Sequence, residues 1–354
     1  MTVFDEVVTV EGSPNIAFIK YWGKRDEKLI LPCNSSLSMT FDHKALRTVT
    51  SVVFSKRLHE DIFYLDGHRQ DLKNRNISEK FGIVNQLRNM AKTDTHIMVV
   101  SRNYFPTASG LASSASGIAT LVYAVNMSLQ LKLTSKEMSV IARQGSGSAC
   151  RSLFGGIVKW NRGNRTDGRD SFAEQLFDEH YWPQLVDNVV VVSKEKKKIP
   201  SRAGMRQTVM TNPLFRLREA SADARLAAIS KAYAKRDISG VAECMMADSN
   251  EMHALMLSTV PSIRYLKASS YAIMDIVEEL NENEGHTIAG YTFDAGPNAN
   301  VVTIEKYQAK VLKALRPLQK KGQIEYIRQS KVGGGPTVLS EVDSLIDAKT
   351  LKPR

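Results

Sequence analysis

The segment Asn103–Asn126, NYFPTASGLASSASGIATLVYAVN, joins a run of small residues to an apolar helical pattern. Its loop, Thr107-Ala108-Ser109-Gly110, precedes Leu111-Ala112-Ser113-Ser114-Ala115-Ser116-Gly117, and apolar periodicity then runs from Ile118 to Val125. Small side chains let a backbone come close to a ligand, and the first amides of a helix have no partner within it. Those N–H groups and the positive end of the helix dipole together form a seat for phosphate oxygens, to which Ser113, Ser114 and Ser116 add hydroxyls. A tight turn capped by serines uses the same residues, so spacing alone leaves both readings open. The common P-loop, G-x-x-x-x-G-K-[ST], is absent, and Gly145-Ser-Gly-Ser-Ala-Cys150 fails G-x-G-x-x-G at its last position.

Outward from that segment, 354 residues suggest about two domains, and 43% hydrophobic content is ordinary for a globular chain. There is no apolar run of about 18 residues, so no membrane span is expected. The start, MTVFDEVVTVEG, carries acids where a secretory leader needs a basic and then apolar stretch. Cys33, Cys150 and Cys244 are odd in number and far apart, which argues against a disulfide framework and for a reducing, cytoplasmic setting. Neither they nor the seven histidines fall at zinc-ligand spacing. The net charge of +11 is compatible with nucleic acid, an acidic surface or a small polyanionic substrate. The charges are interspersed, however, and no RNA-binding motif accompanies the short run Lys194–Lys198, so no nucleic-acid partner is expected.

Along the chain, Glu6–Val10, Leu46–Phe54, His96–Arg102 and Gly155–Trp160 read as strands, and Ile62–Leu65 with Asp66-Gly67 as a hairpin. Ile77–Met90 reads as a helix, and so does Ser135–Arg143, with a capping box of Thr134 and Glu137. Residues 13–41 mix polar and apolar positions in a way that suits neither an amphipathic helix nor a plain strand, which is where functional sites tend to lie. Val189–Val192 marks a buried strand. Beyond it come helices over Phe215–Ala234, Ile238–Leu255 and Ile263–Asn283, then strands at Thr287–Phe293 and Asn300–Ile304. A helix to about Leu318 and a strand near Ile324–Ser330 follow. The fold class is α+β, a two-layer α/β arrangement, with domains expected over residues 1–188 and 189–354.

Four polar clusters stand out: Asn15, Lys20, Tyr21 and Lys24; Ser101 through Ser116; Ser146, Ser148 and Arg151; and Tyr291–Asn298 around Asp294. Lys24 alone reads as a surface lysine, whereas Lys20 beside Tyr21-Trp22 needs a partner for its ammonium. Arg151 is either structural or a fork for carboxylate or phosphate. Asp294, before Gly296-Pro297, is either a turn-former or a base. Phosphoryl transfer needs a positioned acid group, cations and a phosphate cradle, and the inventory contains each.

These residues resemble a known family. Phe105-Pro-Thr-Ala-Ser-Gly-Leu-Ala-Ser-Ser-Ala-Ser-Gly117 is similar to the phosphate-binding motif of the GHMP kinase superfamily. Asn15-Ile-Ala-Phe-Ile-Lys-Tyr-Trp-Gly-Lys24, Gly145–Gly156 and Tyr291–Ala299 resemble, in order, the motifs of the diphosphomevalonate decarboxylases, and the likeness extends to Val332–Pro336 and Leu345–Lys349. The resemblance implies the GHMP kinase fold, with an N-terminal part like domain 2 of ribosomal protein S5 and a ferredoxin-like C-terminal part. It implies ATP-dependent decarboxylation of (R)-mevalonate 5-diphosphate to isopentenyl diphosphate in isoprenoid and sterol biosynthesis, with Mg²⁺ and a homodimer. Residue by residue, it implies that Asp294, Lys20 and Arg151 are catalytic, Arg151 also holding the substrate carboxylate. Substrate contacts are implied for Tyr21, Lys24, Ser146, Ser148, Ser201 and Arg202. Nucleotide contacts are implied for Ser101, Ser109, Gly110, Ser113, Ser114 and Ser116. Metal ligands stay unassigned, since no Glu lies between Asn103 and Ser135.

Rival readings are a decarboxylase of mevalonate 5-phosphate, a mevalonate 3-kinase and a non-catalytic ligand-binding member of the same fold. The presence of both Asp294 and Arg151 ranks them lower.

Overall fold

A computed structural model describes residues 5–105, 113–195 and 197–354, leaving the side chain of Ser113 undescribed. Eighteen strands and eight helices lie within the described residues. In the first half these are β1 (Val8–Gly12), β2 (Asn15–Ile19), β3 (Lys24–Asp26), β4 (Leu31–Pro32), β5 (Ser36–Thr40), β6 (Thr48–Phe54), β7 (Ile62–Leu65) and β8 (His68–Arg69). Next come α1 (Arg75–Ala91), β9 (Ile97–Asn103), α2 (Ser113–Ser128), α3 (Ser135–Gly145), β10 (Ile157–Trp160) and β11 (Ala173–Phe177). The second half holds β12 (Leu185–Val191), α4 (Ser201–Thr211), α5 (Arg218–Ala234), α6 (Ile238–Leu257), α7 (Ala268–Glu284), β13 (Ala289–Phe293) and β14 (Ala299–Ile304). It ends with α8 (Glu305–Lys320), β15 (Tyr326–Lys331), β16 (Thr337–Val338), β17 (Ile346–Asp347) and β18 (Lys352–Pro353).

Three sheets carry the fold, in the orders β16-β1-β6-β9-β7-β8, β11-β10-β5-β2 and β13-β14-β12-β15. Pairing is antiparallel except between β7 and β9. Helices α1, α2 and α3 cover the first sheet through a core containing Val52, Phe81, Val84, Val122 and Ile141. In the third sheet the order β15-β12-β14-β13, with helices after the first and third strands in sequence, is the ferredoxin-like arrangement. One face of it packs on α7 and α8 through Val190, Ile273, Val301 and Leu315. Its other face shares a core with the second sheet and with α5 and α6, where Phe18, Leu37, Val189, Ile229, Met245 and Val302 meet. The two halves are therefore joined by apolar burial as well as by the chain.

The strands expected at Glu6–Val10 and Leu46–Phe54 begin two residues later, and the helix expected from Ile263 begins at Ala268. Phe215–Leu217 is a 3-10 turn that precedes α5 rather than part of it. The capping box at Thr134 is present, its hydroxyl accepting from the Glu137 N–H at 3.3 Å. The difficult residues 13–41 hold β2 and β5, buried on both faces. Their apolar side chains enter the shared core while Asn15 and Ser36 turn to the opposite side, where Arg151 lies, so no alternation of solvent and core is written into them. The division expected between residues 188 and 189 falls inside β12, all of which pairs within the third sheet. Residues 337–338 return to the first sheet beside β1.

Asp187, in the middle of β12, is fully buried, and neither carboxyl oxygen accepts from a donor among the described residues. Burial pushes its pKa well above the carboxylate range, and Lys20 opposes this only in part. The folded state thus keeps a proton that the unfolded chain releases above about pH 4, so this group lowers stability as pH rises. Asp187→Asn is expected to raise Tm by about 2–6 °C at pH 8 and to leave it nearly unchanged near pH 4, read by calorimetry.

Candidate active site

The second sheet and its flanking turns deliver one group of polar side chains, and the third sheet delivers the other. Directly after β2 comes Lys20, whose ammonium is almost fully buried (1% exposed) and lies 2.7 Å from Oδ1 of Asp294, just beyond β13. The Asp294 side chain remains 39% exposed, so the pair is closed on the lysine side and open on the aspartate side. Burial lowers the proton affinity of Lys20, and the charge and hydrogen bond of Asp294 raise it again.

Arg151 sits in a 3-10 segment, Gly147–Leu153, that follows α3. It is buried, with Nε donating to Asn15 Oδ1 at 3.0 Å and Nη1 to Ser36 Oγ at 2.8 Å, while Nη2 meets no acceptor among the described residues. Asn15 in turn donates to the Ser148 carbonyl (3.1 Å) and Ser152 Oγ (2.7 Å). Desolvation lowers the proton affinity of Arg151, and the negative charge of Asp294 acts on it across the gap. Tyr21 packs edge-on against Trp160 at 4.6 Å, and its buried hydroxyl has no partner among the described residues. A Cβ at position 147 would stand 2.7 Å from the Tyr21 ring, so glycine there is what lets the ring approach.

Around this centre, Ser146 Oγ is 3.3 Å from Ser114 Oγ, linking the end of α3 to the start of α2. Helix α4 was not expected from the sequence. It starts at Ser201, whose Oγ accepts from Lys197 Nζ at 2.8 Å, and Arg202 reaches across to the Gly145 carbonyl at 2.7 Å. Lys24 is buried and paired with Glu27 at 2.5 Å, unlike the free surface lysine that the residue alone suggests. Lys20, Asp294, Arg151, Tyr21, Ser146, Ser148, Ser201 and Arg202 therefore all lie on the junction of the two halves.

Two of the expected nucleotide contacts bond to threonines of the neighbouring strand. Ser101 on β9 is buried with its hydroxyl 2.9 Å from Thr50 Oγ1, and Ser116 on α2 is buried 2.7 Å from Thr48 Oγ1. With Thr50–Thr120 at 2.8 Å they form hydroxyl links across β6 that fasten α2 to its sheet. Their side chains face the interior because alternation along β9 and the helical repeat of α2 turn them there. Ser109 and Gly110 lie outside the described residues; Ser113 opens α2 and Ser114 is exposed at its first turn.

Sequence reasoning missed Asp248, Ser249 and His253 on α6 and Arg218 on α5. Asp248 accepts from the Lys20 N–H at 2.7 Å and is held by Arg218 at 2.6 and 2.9 Å. Ser249 accepts from the Phe293 N–H at 3.0 Å. His253 is neutral, its pKa pushed down to about 4 by burial and then by Lys20. The available signal was a polar Asp-Ser pair on the apolar face of a helix.

Family comparison agrees with this geometry. Residues 12–173 match the diphosphomevalonate decarboxylase-like N-terminal domain, and residues 188–321 match the mevalonate 5-diphosphate decarboxylase C-terminal domain. The chain is 39% identical to human diphosphomevalonate decarboxylase over 378 residues, covering 94% of each protein. It is 42% identical to the zebrafish (Danio rerio) protein of the same name, covering 88% of this chain and 79% of that one. A crystal structure of mevalonate 5-diphosphate decarboxylase superposes with a TM-score of 0.89 at 36% identity, covering 99% of this chain and 100% of that one. A second solved structure, in complex with MVAPP, AMPPCP and magnesium, superposes with a TM-score of 0.84 at 34% identity, covering 94% and 99%. The architecture is the GHMP kinase fold, with a polar site where its two halves meet. Within that class, the chain belongs to the diphosphomevalonate decarboxylase family.

Proposed function

We propose that this chain catalyses the ATP-dependent decarboxylation of (R)-mevalonate 5-diphosphate to isopentenyl diphosphate, releasing ADP, phosphate and CO2. The observation that carries the reading is the Lys20–Asp294 pair, contributed by two halves of the fold and close enough to Arg151 for its charge to be felt there. A carboxylate half open to a cleft can accept a hydrogen bond from the tertiary 3-hydroxyl and take its proton during phosphoryl transfer. Lys20 holds that carboxylate in place. Phosphorylation replaces hydroxide, a poor leaving group, with phosphate, a good one. As phosphate departs it takes that proton back from Asp294, and the restored carboxylate favours the positive charge growing at C3; the electrons released with CO2 then form the double bond.

In this reading Arg151 holds the substrate carboxylate, with its Nε and Nη1 fixed by Asn15 and Ser36 and its Nη2 turned to the ligand. Tyr21, Lys24, Ser146, Ser148, Ser201 and Arg202 take the remainder of the substrate, Lys24 lying toward the diphosphate. Ser109, Gly110, Ser113 and Ser114 form the ATP phosphate loop. Among the described residues no group of three or more His, Cys, Asp and Glu side chains is placed to hold a metal ion. Mg²⁺ is accordingly proposed to be held by the phosphate oxygens of ATP, whose charge it would neutralise.

A cytoplasmic location is also proposed, supported by three unpaired cysteines, of which Cys150 has its thiol pushed up to about 12 by burial and is inert. No helix among the described residues is long and apolar enough to cross a membrane. The homodimer is proposed from the family likeness.

The test is to incubate the purified protein with ATP, Mg²⁺ and either mevalonate 5-diphosphate or its monophosphate, and to quantify ADP, phosphate and CO2 together. Equal yields of all three from the diphosphate alone are expected, from a species sedimenting at twice 39.4 kDa. ADP without CO2 would identify a 3-kinase, preference for the monophosphate would change the substrate, and no product would leave a binding protein.

A further inference from the structure

The Lys20–Asp294 distance is set by main-chain bonds to α6. Lys20 donates its N–H to Asp248 Oδ2 at 2.7 Å, and its carbonyl accepts from Arg218 at 3.0 Å. Arg218 and Asp248 are themselves joined by two bonds and are completely buried, so one guanidinium–carboxylate pair grips the lysine residue from both of its peptide groups. One residue further along α6, Ser249 accepts the Phe293 N–H at 3.0 Å. One turn on, the buried His253 ring packs edge-on against the Phe293 ring at 6.2 Å, beside the strand end that carries Asp294. Its Nε2 has no partner among the described residues.

Lys20 follows a strand of the second sheet, and Asp294 follows a strand of the third. The two meet at the junction of the halves, and among the described residues α6 bonds the main chain on both sides. A fully buried ion pair is expensive to desolvate, and hydrophobic side chains could fill the same space without that cost. A fixed spacing of two reacting groups is a benefit that apolar packing would not provide.

We propose that α6 is the positioning element of the active site: Asp248, braced by Arg218, fixes Lys20, while Ser249 and His253 fix the strand end that carries Asp294. This rests on the decarboxylase reading for its kinetic consequence but not for its geometric one. Asp248, Ser249, Arg218 and His253 touch neither substrate nor the reacting atoms; they act through Lys20 and Asp294. His253 suits the task because it stays neutral, so no second cation competes with Lys20 for Asp294.

The experiment compares the wild type with His253→Leu, His253→Asn, Asp248→Asn and the distant core variant Ile229→Ala in the ADP and CO2 assay, with Tm measured alongside. His253→Leu and Asp248→Asn are expected to lose about 100-fold in kcat while KM for ATP and for the diphosphate stays within about threefold, as for a small misplacement of catalytic groups. His253→Asn, which keeps a polar group beside the strand end that carries Asp294, should recover part of that loss. The alkaline limb of the kcat profile should move to lower pH in His253→Leu, because a buried Lys20 held less closely to its counter-ion gives up its proton more readily. Ile229→Ala, in the shared core, should lower Tm without the kcat loss.

Wild-type kcat in folded His253→Leu, or a kcat loss in Ile229→Ala as large as in the α6 variants, would overturn the proposal. If Asp248→Asn fails to fold, the two His253 variants decide it. A crystal structure of His253→Leu separates the two readings: a Lys20–Asp294 distance kept at 2.7 Å refutes positioning by His253 whatever the activity. A lengthened distance in a protein that makes no CO2 supports positioning and removes only the decarboxylase assignment.

Discussion

Replacing Asp294 with Asn is expected to lower kcat by about 1,000- to 10,000-fold while KM for ATP and for mevalonate 5-diphosphate changes by no more than about threefold. The substitution keeps size and can keep a hydrogen bond from Lys20, so the cleft should retain its shape and its ligands. It removes two things at once. The amide cannot take a proton from the 3-hydroxyl, and it offers no negative charge to the cationic centre that forms as phosphate leaves. A further consequence falls on Lys20, which is 1% exposed and whose proton affinity is sustained chiefly by Asp294. Without that carboxylate, burial lowers the proton affinity of Lys20 further, and only the charge of Asp248 still opposes it. Single-turnover measurement of ADP and CO2 reads the effect directly. Turnover near that of the wild type would dismiss Asp294 as the base.

Arg151→Gln is expected to reduce kcat/KM for the diphosphate substrate by about 1,000-fold and to leave KM for ATP within about threefold. The arginine is anchored by Asn15 and Ser36 on one edge, which presents its remaining nitrogen as a fixed donor. Glutamine is shorter and uncharged, so it loses the ligand and abandons both anchors. The orphaned Asn15 and Ser36 groups should cost about 1–3 kcal/mol each, visible as a lower Tm. Arg151→Lys should recover stability in part and activity hardly at all, since an ammonium is a point charge and cannot reproduce a rigid fork. A defect confined to ATP would contradict the assignment.

What could be seen in the sequence follows from the range of the interactions involved. The Thr134–Glu137 capping box and the hairpin at Asp66-Gly67 are decided within a few residues, and both stand where their residues place them. The four motif clusters were legible because they are short and ordered. Residues 13–41 were not, since β2 and β5 are buried on both faces and their polar residues point at Arg151 rather than at water. The threonine partners of Ser101 and Ser116 were hidden for a related reason: a hydroxyl beside a phosphate loop looks the same in sequence whether it faces a ligand or a threonine beneath it. Asp248 and His253 gained their meaning only from partners 30 or more residues away in the chain, and no local pattern encodes that.

The return of the last residues to the first sheet bears on how the chain is made. β16 pairs with β1, and Leu345 and Ile346 cover Val49, Val53, Met98 and Val100 on the face opposite α1, α2 and α3. A chain emerging from the ribosome in order has every strand of that sheet but one long before it has the cover for this face. Until residues 337–346 are synthesised, the nascent N-terminal half holds an open strand edge at β1 and a bare apolar surface behind it. Completion of the N-terminal half therefore waits on residues that follow the whole third sheet in sequence, so the half that starts first is sealed after the other has been made.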